Sequence, residues 1–450
     1  MLYALLKIIM QATIRVFFRS ITVKNKEAIP DTGPLIILAN HPATFMDPIV
    51  MACSMKRKVY FLAKGSLFMG PFVSWILGRL SIIPIYRKQD DPSLLNKNTD
   101  TFKRCYEHLE KGGTIVMYPE GISITERKLK PIKPGASHIA LNAEARNDFK
   151  LGVKIVNMGL NYEDQHKFNK DLYINIHEPI DIGAYKEKFN ADKVETIREL
   201  TREIDKQLKE LVISVPDEKT DEFVKDIETL YLQQLKDTRG ISGKQVPVEF
   251  TYTQTIIKAI QYFSAIDPEL IHNIQTRIKN YFKHLKIFHL SDTHVTTYKN
   301  RGRDWFRNIA TLFALILGFP VYLYGLVNNF LPFQIPDWVA AKTKDYRGAI
   351  AMVTGIITFS LFYSVQISLV YHYTQNPLWT LLYGISLPLT AFFTLYYWNH
   401  INVVKGKWLM IALFYSKKKL IHLLLEERND IIRLFEKAEK DYLKEFPETE

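Results

Sequence analysis

A histidine followed six residues later by an aspartate lies at the end of an apolar run. His41 directly follows the run 34–40, and Asp47 comes six residues after His41. A turn between a strand and a helix can place such an imidazole against the carboxylate, which then leaves one ring nitrogen free as a base. Such a base can remove a proton from an alcohol that attacks an acyl thioester. Taken alone, the spacing more often belongs to a helix cap and a surface residue.

Further polar residues follow apolar runs in the same part of the chain. They are Lys64 after the run 59–63, Arg87 after 81–86, and Glu120-Gly121 after 114–118. By themselves these residues indicate no particular reaction. The alternative interpretation of Lys64 and Arg87 is a solvated charge at a strand end.

Short, β-rich apolar runs alternate with helical patterns in this region. One helical pattern runs from Thr99 to Lys111 and is followed by two glycines, which indicates a helix end. The alternation predicts an α/β fold, a mixed sheet flanked by helices, with functional residues at strand ends and in loops. The predicted strands are 34–40, 59–63, 81–86, 114–118, 154–161 and 172–177.

The composition is that of a folded, basic protein. Its 450 residues are 47% hydrophobic, and the formal net charge is +12. This charge predicts an anionic partner, for which nucleic acid, a phospholipid surface and phosphorylated metabolites all qualify. The two cysteines, Cys53 and Cys105, are too few for a disulfide framework or a four-thiolate metal site. They fit packing residues in a reducing compartment.

Three long apolar runs near the C-terminus indicate membrane segments. Residues 348–371 contain no charge and are long enough to span a bilayer, and 378–398 form a second such run. A third run, 309–331, carries Pro320 in its middle. Basic residues flank all three runs, which favours two true spans, with the Pro320 run re-entrant or in the interface. The α/β domain and the C-terminal tail would then share one side, predicted to be the cytoplasmic one.

These patterns predict five regions along the chain. An interfacial or amphipathic helix at the N-terminus contains Lys7, Arg15 and Arg19 and shows no signal cleavage site. The α/β domain, a charged helical extension, the membrane region and a soluble helical tail follow. The predicted bounds are 1–29, 30–186, 187–304, 305–403 and 404–450.

The four blocks around these polar residues, taken together, resemble the glycerolipid acyltransferase superfamily. Its members acylate glycerol 3-phosphate, lysophosphatidate and related acceptors, and the resemblance covers residues 30–179. The family's usual motif is His-x4-Asp, whereas five residues separate the pair here. This longer gap, the Ile-Ser-Ile after Glu120-Gly121 and the several membrane segments resemble the fungal-type glycerol 3-phosphate/dihydroxyacetone phosphate acyltransferases. Asn157 stands where that group usually has a proline.

The resemblance implies a catalytic pair and a reaction. His41 would be the general base, and Asp47 would orient it and stabilise the imidazolium. The predicted reaction moves a fatty acyl group from acyl-CoA or acyl carrier protein to glycerol 3-phosphate at a membrane. It requires no metal and no other cofactor.

The resemblance also implies an acceptor site. Arg87 would bind the phosphate dianion, which its forked guanidinium suits, and Lys64 would add positive charge nearby. Glu120 and Gly121 would belong to the same site, where the glycine allows close backbone approach.

Other functions are compatible with parts of this sequence. The same chemistry could use lysophosphatidate or another lyso-lipid, and a non-catalytic lipid-binding protein could keep the fold. A transporter is disfavoured because the apolar runs carry no charges to mark a pathway. Residues 289–294 are similar to the first metal-binding block of metallophosphoesterases, but no further block follows, so we interpret them as a loop. Lysines 417–419 are expected to face lipid headgroups rather than nucleic acid.

Overall fold

The described residues form two compact units. The computed structural model describes residues 2–87, 90–238, 245–299, 305–343, 346–416 and 418–446. The first unit, called here the α/β unit, comprises Met1–Asp217 and Val339–Val353. The second, called the helical unit, comprises Glu218–Trp338 and Thr354–Glu450.

Among the described residues, an eight-stranded mixed sheet forms the centre of the α/β unit. Its strands are β1 (Phe18–Lys24), β2 (Leu35–Ala39), β3 (Val59–Lys64), β4 (Ile82–Ile85), β5 (Thr114–Met117), β6 (Lys154–Tyr162), β7 (Lys170–Ile176) and β8 (Ile180–Asp181). The order is β1-β7-β6-β2-β5-β3-β4, and β8 pairs with β6. Strands β2 to β6 run parallel, whereas β7 is antiparallel to β6. The mixed sheet and the six predicted strands are confirmed.

Strand β2 is buried on both of its faces. Leu35 and Ile37 point into one hydrophobic core, and Ile36 and Leu38 point into the other. Each of the four is 1% exposed or less. A parallel strand covered on both sides is expected to be a continuous apolar run, which is why this segment is recognisable in the sequence.

Helices cover both faces of this sheet. They are α1 (Leu2–Phe17), α2 (Met46–Ser54), α3 (Gly70–Arg79), α4 (Asn98–Glu110), α5 (Gly135–Ala145), α6 (Lys186–Ala191) and α7 (Lys193–Leu211). Helices α1 and α2 contribute to one core, whereas α4 to α7 contribute to the other. The sheet is thus the middle layer of three.

Helix α7 belongs to the α/β unit, which corrects the predicted domain boundary at residue 186. Leu200, Ile204 and Leu208 are buried in the same core as the sheet. The helix begins at Asp192, whose side chain accepts hydrogen bonds from two backbone amides of its first turn. An amphipathic helix has the same sequence pattern whether it packs on a sheet or on other helices, so periodicity could not place this boundary. The unit continues to Asp217.

Strand β1 corrects the prediction that residues 1–29 form an N-terminal helical region. Helix α1 ends at Phe17, and β1 then pairs in parallel with β7. The guanidinium of Arg19 binds both carboxylate oxygens of Asp171 on β7, at 2.8 and 2.6 Å. The sheet therefore begins before residue 30, and Arg19 stabilises it.

Long helices make up the second unit. They are α8 (Glu218–Thr238), α9 (Val246–Ile266), α10 (Pro268–Ile287), α11 (Asp292–Lys299), α12 (Trp305–Ala340), α13 (Arg347–Thr374), α14 (Pro377–Ser416) and α15 (Lys418–Glu445). The first turn of α13 and the end of α12 lie in the α/β unit. Helix α15 confirms the helix expected in the tail.

Residues 289–294 were predicted to be a loop, which is wrong for the second half of the segment because helix α11 begins at Asp292. Asp292 opens this helix and is 5% exposed. Its carboxylate accepts hydrogen bonds from Arg428 Nε at 2.8 Å and from Tyr281 Oη at 2.7 Å. Because a buried charge requires such partners, Asp292 holds α10, α11 and α15 together.

Within the described residues, three helical segments are long and apolar enough to cross a membrane. They are Phe313–Ala340, Arg347–Thr374 and Pro377–Ile401. The first is continuous through Pro320, so all three qualify by length and composition, and the hypothesis of two true spans stays a prediction. Several of the flanking basic residues on which that hypothesis depends, Arg301, Arg303, Lys344 and Lys417, lie outside the described residues.

Two asparagines connect the three apolar helices. Asn329 on α12 accepts a hydrogen bond from Tyr363 on α13 at 2.7 Å and donates to the carbonyl of Leu387 on α14 at 3.5 Å. Asn328 accepts from Tyr383 on α14 at 2.7 Å. Polar bridges of this kind hold apolar helices together where burial of apolar surface provides little driving force.

The segment Val339–Val353, which joins α12 to α13, packs within the α/β unit. Ala349 and Met352 are 5% and 3% exposed and lie in the core that contains α1 and α2. The ring of Tyr346 lies 5.3 Å from that of Phe45, which lies between His41 and Asp47 in the sequence. The start of α13 is therefore part of the fold of the first unit.

Candidate active site

The predicted site residues lie at one edge of the sheet. Strands β2 to β5 are parallel, so their carboxyl ends share an edge. His41 follows β2, and Glu120 follows β5. Lys64 ends β3, and Arg87 follows β4. Residues far apart in the sequence are thereby brought to a common edge.

His41 and Asp47 are in direct contact. Nδ1 of the imidazole lies 2.8 Å from Oδ2 of the carboxylate. Asp47 is in the first turn of α2 and fully buried, whereas the His41 side chain is 17% exposed. Since a carboxylate accepts hydrogen bonds, Nδ1 carries the proton and Nε2 is available to a substrate. The contact that the spacing predicts is present.

Thr44 accommodates the longer His-to-Asp gap. Its backbone is left-handed, with φ of 46°, a conformation that β-branched residues rarely adopt. Ser123 holds it there, because its Oγ accepts from the Thr44 amide at 3.1 Å and lies 2.8 Å from Thr44 Oγ1. The Ser123 hydroxyl also donates to the carbonyl of His41 at 2.8 Å. The extra residue is thus absorbed in a tight turn and His41 still reaches Asp47.

Two more donors hold the carboxylate of Asp47. The backbone amide of Ala43 donates to Oδ2 at 2.9 Å, and Tyr162 Oη donates to Oδ1 at 2.7 Å. Burial, and next the charge of Asp47, raises the pKa of Tyr162 well above its ordinary value, so the phenol keeps its proton. Tyr162 was not among the predicted site residues. It ends β6, a strand parallel to β2, and that position was the available signal.

Tyr118 supports the imidazole from its face. The rings of Tyr118 and His41 are stacked, with centroids 3.9 Å apart and planes 9° apart. Burial raises the pKa of Tyr118 well above its ordinary value, and the charge of Asp47 adds to this shift. Stacking on one side and the Asp47 contact at Nδ1 together fix the ring plane of His41.

We expect Tyr162→Phe to lower kcat about ten-fold, because a hydrogen bond to a charged group is worth roughly 1.5 kcal/mol or more. The acceptor KM should stay unchanged, since Tyr162 acts through Asp47. Steady-state kinetics measure both constants. The control variant is Tyr106→Phe, at a half-buried tyrosine of α4. A variant with the rate of the control would show that Ala43 and His41 alone position Asp47.

Glu120 links two loops of the site. The residue is 5% exposed. Its Oε1 accepts a hydrogen bond from the amide of His41 at 3.0 Å, and its Oε2 accepts one from the amide of Lys130 at 2.9 Å. Burial raises the pKa of Glu120, and these two hydrogen bonds oppose the shift. Gly121 is left-handed, with φ of 70°, and a Cβ there would lie 2.7 Å from Lys133 Nζ. In this structure the pair shapes the loops around His41.

The cation Arg87 is engaged with an internal counter-ion. Its Nε and Nη2 donate to the two carboxylate oxygens of Asp90 at 2.6 and 3.0 Å, and Nη1 donates to the carbonyl of Gly121. Lys64 Nζ lies 3.3 Å from the same carboxylate. The hydrogen bond from Arg87 is the main cause that lowers the pKa of Asp90. Arg87 and Lys64 thus meet at Asp90, and Arg87 also contacts the Glu120-Gly121 turn.

An open cleft adjoins the catalytic loop. His41 and Glu120 line it, together with Tyr162. Arg127 and Lys128 also line it, and neither was among the predicted site residues. Lys64 and Arg87 are not among the lining residues. The site therefore has basic residues in two places, one in this cleft and one around Asp90.

The described residues around the site contain neither a metal-ligand cluster nor a reactive thiol. In the part of the chain that the structure describes, no group of three or more His, Cys, Asp or Glu residues could hold a metal ion. Burial raises the pKa of Cys53 to about 11 and that of Cys105 to about 12. Both are therefore thiols rather than thiolates at neutral pH.

Residues 20–160 match a protein-family model described as "Acyltransferase". This range contains the strand ends with His41, Lys64, Arg87 and Glu120. The match begins in β1, before the predicted domain start at residue 30, and ends in β6.

Similar curated proteins include two from Saccharomyces cerevisiae. Glycerol-3-phosphate O-acyltransferase 2 is 28% identical over 50% of this chain and 29% of its own length. Glycerol-3-phosphate O-acyltransferase 1 is 22% identical over 82% of this chain and 61% of its own length. The chain thus spans less than two thirds of either relative.

A third relative is a chloroplastic protein of Arabidopsis thaliana, the 1-acyl-sn-glycerol-3-phosphate acyltransferase LPAT1. It is 29% identical over 31% of this chain and 35% of its own length. A crystal structure of the 1-acyl-sn-glycerophosphate acyltransferase from Thermotoga maritima aligns with 44% of this chain and 75% of that chain. Its sequence identity is 21% and its TM-score 0.32.

Proposed function

We propose that this chain transfers a fatty acyl group to glycerol 3-phosphate, because its residues 20–160 form an acyltransferase domain of the glycerolipid superfamily. The observation that carries the proposal is the contact of 2.8 Å between His41 Nδ1 and the buried Asp47. It provides an oriented base at the sheet edge where Arg87 and Lys64 supply positive charge. The donor is a thioester of coenzyme A or acyl carrier protein.

The proposed mechanism needs one base and no covalent enzyme intermediate. Nε2 of His41 takes the proton of the acceptor hydroxyl while the hydroxyl oxygen attacks the thioester carbonyl. Asp47 stabilises the imidazolium that forms, and it keeps the proton of Nδ1 in place. Collapse of the tetrahedral intermediate breaks the carbon–sulfur bond, and the leaving thiolate receives the proton from Nε2. The products are an ester and a free thiol, and no metal or other cofactor takes part.

The acceptor phosphate is proposed to bind at Arg87. The guanidinium offers a fork that matches phosphate, and it already binds a carboxylate, Asp90, in the same bidentate way. A phosphate dianion would replace Asp90, with Lys64 as a second cation. Gly121 would lie beside it, because its carbonyl accepts from the same guanidinium.

We expect Arg87→Ala to raise the KM for glycerol 3-phosphate about ten- to a hundred-fold, since hydrogen bonds to charged groups are worth roughly 1.5–3 kcal/mol. With glycerol, which has no phosphate, the variant and wild type should have the same rate. The control is Arg104→Ala, an exposed arginine of α4. An unchanged KM in Arg87→Ala would show that the phosphate does not bind at Arg87 and would favour Arg127 and Lys128 as its site.

Acyl transfer by the purified full-length protein tests the proposed reaction. Labelled oleoyl-CoA is offered with glycerol 3-phosphate or with lysophosphatidate, and the labelled lipids are separated. We expect label in lysophosphatidate when glycerol 3-phosphate is the acceptor. Absence of product with either acceptor, and with acyl carrier protein as donor, would favour the non-catalytic lipid-binding alternative.

Lysophosphatidate is the second acceptor that an observation favours. The Arabidopsis relative is named for acylation of 1-acyl-sn-glycerol 3-phosphate, at 29% identity over 31% of this chain. Label that accumulates only in phosphatidate would assign this acceptor. The roles of His41 and Asp47 would be the same in both reactions.

We propose that the protein is a multi-pass membrane protein with its α/β unit on the cytoplasmic side. The three apolar helices support membrane association, and basic flanks support the orientation. In sealed vesicles, protease should reach the α/β unit and the C-terminal tail from the same face. Protection of one of them alone would contradict the proposed two spans.

A further inference from the structure

Helix α3 differs from the other helices of the α/β unit because none of its ten residues is buried. Phe72 and Trp75 are 71% and 55% exposed, and Met69, directly before the helix, is 75% exposed. Helices on a folded domain normally turn their apolar positions towards a core. Here these side chains project away from the protein.

The exposed residues lie along one side of the helix. Phe72, Trp75 and Arg79 are three and four positions apart, which places them on one face. The rings of Phe72 and Trp75 are roughly parallel, with centroids 6.5 Å apart. The guanidinium of Arg79 lies 5.1 Å from the centroid of the Trp75 ring. Met69, Phe72, Trp75 and Arg79 are called here the α3 face.

The sequence on both sides of α3 is basic. Between Asp47 and Asp90 the sequence contains seven basic residues and no acidic residue. This stretch includes β3, α3 and β4, and β4 is the last strand of the sheet. The guanidinium of Arg79 beside exposed aromatic side chains complements a surface that is apolar inside and anionic outside.

We propose that the α3 face docks into the headgroup region of an anionic phospholipid bilayer. Trp75 and Phe72 would enter the boundary between headgroups and acyl chains, and Arg79 would bind lipid phosphates. The apolar helices α12 to α14 provide the reason for choosing a bilayer as the occupant, because the same chain carries segments able to cross one. The proposal does not depend on the reaction that the site catalyses.

Docking of α3 would bring the acceptor cations to the lipid surface. Helix α3 lies in the chain between β3, which ends at Lys64, and β4, which is followed by Arg87. Both strand ends would then face the layer in which phosphorylated lipids are found. The same face would orient the sheet edge relative to the membrane.

Fluorescence quenching by labelled lipids tests the docking. The full-length Phe72→Cys variant is labelled with NBD and placed in nanodiscs of phosphatidylcholine and phosphatidylserine. Because the pKa values of Cys53 and Cys105 are about 11 and 12, the introduced thiol reacts first, and unmodified protein gives the background. We expect doxyl-labelled lipids to remove most of the NBD fluorescence. Met69→Cys provides a second label position outside the helix.

The control label is Glu195→Cys on α7, whose glutamate side chain is 51% exposed. It should keep its fluorescence in the same nanodiscs. Quenching at position 72 no stronger than at position 195 would overturn the proposal. Protection of position 72 from iodide without quenching by doxyl lipids would also overturn it, because the α3 face would then be covered by protein. In an Arg79→Glu background the quenching should decrease, whereas Arg104→Glu should leave it unchanged.

Discussion

His41→Ala is expected to abolish acyl transfer while the protein stays folded. A general base contributes about 10²- to 10⁴-fold to a rate, and His41 is the imidazole that the site orients. Its Nδ1 is held by Asp47 at 2.8 Å and its face is stacked on Tyr118 at 3.9 Å. Alanine removes the base without removing the acceptor cations, so the KM for the acceptor should change little.

Single-turnover measurements with labelled oleoyl-CoA quantify this loss. The matched control is His138→Ala, an exposed histidine of α5 that should retain the wild-type rate. Thermal unfolding of both variants should occur near the wild-type temperature. If His41→Ala kept a rate within a few-fold of the control, the proposed mechanism would be wrong.

Asp47→Asn is expected to reduce kcat by up to about 10⁴-fold, the size of loss known for this change in a serine-protease triad. The carboxylate accepts three hydrogen bonds, from His41, Ala43 and Tyr162, at 2.8, 2.9 and 2.7 Å. An amide has one acceptor oxygen and places an NH₂ group where the other oxygen accepts. The imidazole would then lose its orientation, its tautomer and the charge that stabilises the imidazolium.

Because Asp47 is fully buried, its substitution also affects folding, and the two effects need to be separated. Activity is therefore measured well below the unfolding temperature of the variant. Asp31→Asn, at an exposed aspartate paired with Lys56, is the control for loss of a carboxylate. A loss of rate explained by the unfolded fraction alone would contradict the proposed role in catalysis.

The central strands could be predicted because their burial on both faces makes each of them a continuous apolar segment of the sequence. Residues 35–39 are apolar throughout, since both faces of β2 are covered. Strand β1 could not be predicted in the same way. Its residues follow directly on a helix, and their partner β7 lies about 150 residues further along the chain. Pairing over such a distance leaves no pattern within the segment itself.

The same difference applies to the site. His41 and Asp47 are close in sequence, so their contact could be inferred, and the comparisons confirm the resemblance to the superfamily. Tyr162 reaches Asp47 only through the alignment of β6 beside β2, which is a property of the sheet. Asp90, the partner of Arg87, is only three residues away in the sequence, so this ion pair could have been predicted. Arg127 and Lys128 line the cleft through loop geometry, which the sequence does not record.

The packing of Ala349 and Met352 has a consequence for producing a soluble form of this protein. Both side chains fill the core beside α1 and α2, yet they come from the start of an apolar helix far along the chain. A truncation that ends at Asp217 keeps all eight strands and all the candidate site residues but lacks these two side chains. The vacated core would expose apolar surface next to the loop of Phe45, which Tyr346 covers in the intact chain. A short linker followed by residues 339–353 would restore the missing part, so the boundary of an independently stable domain is discontinuous in the sequence.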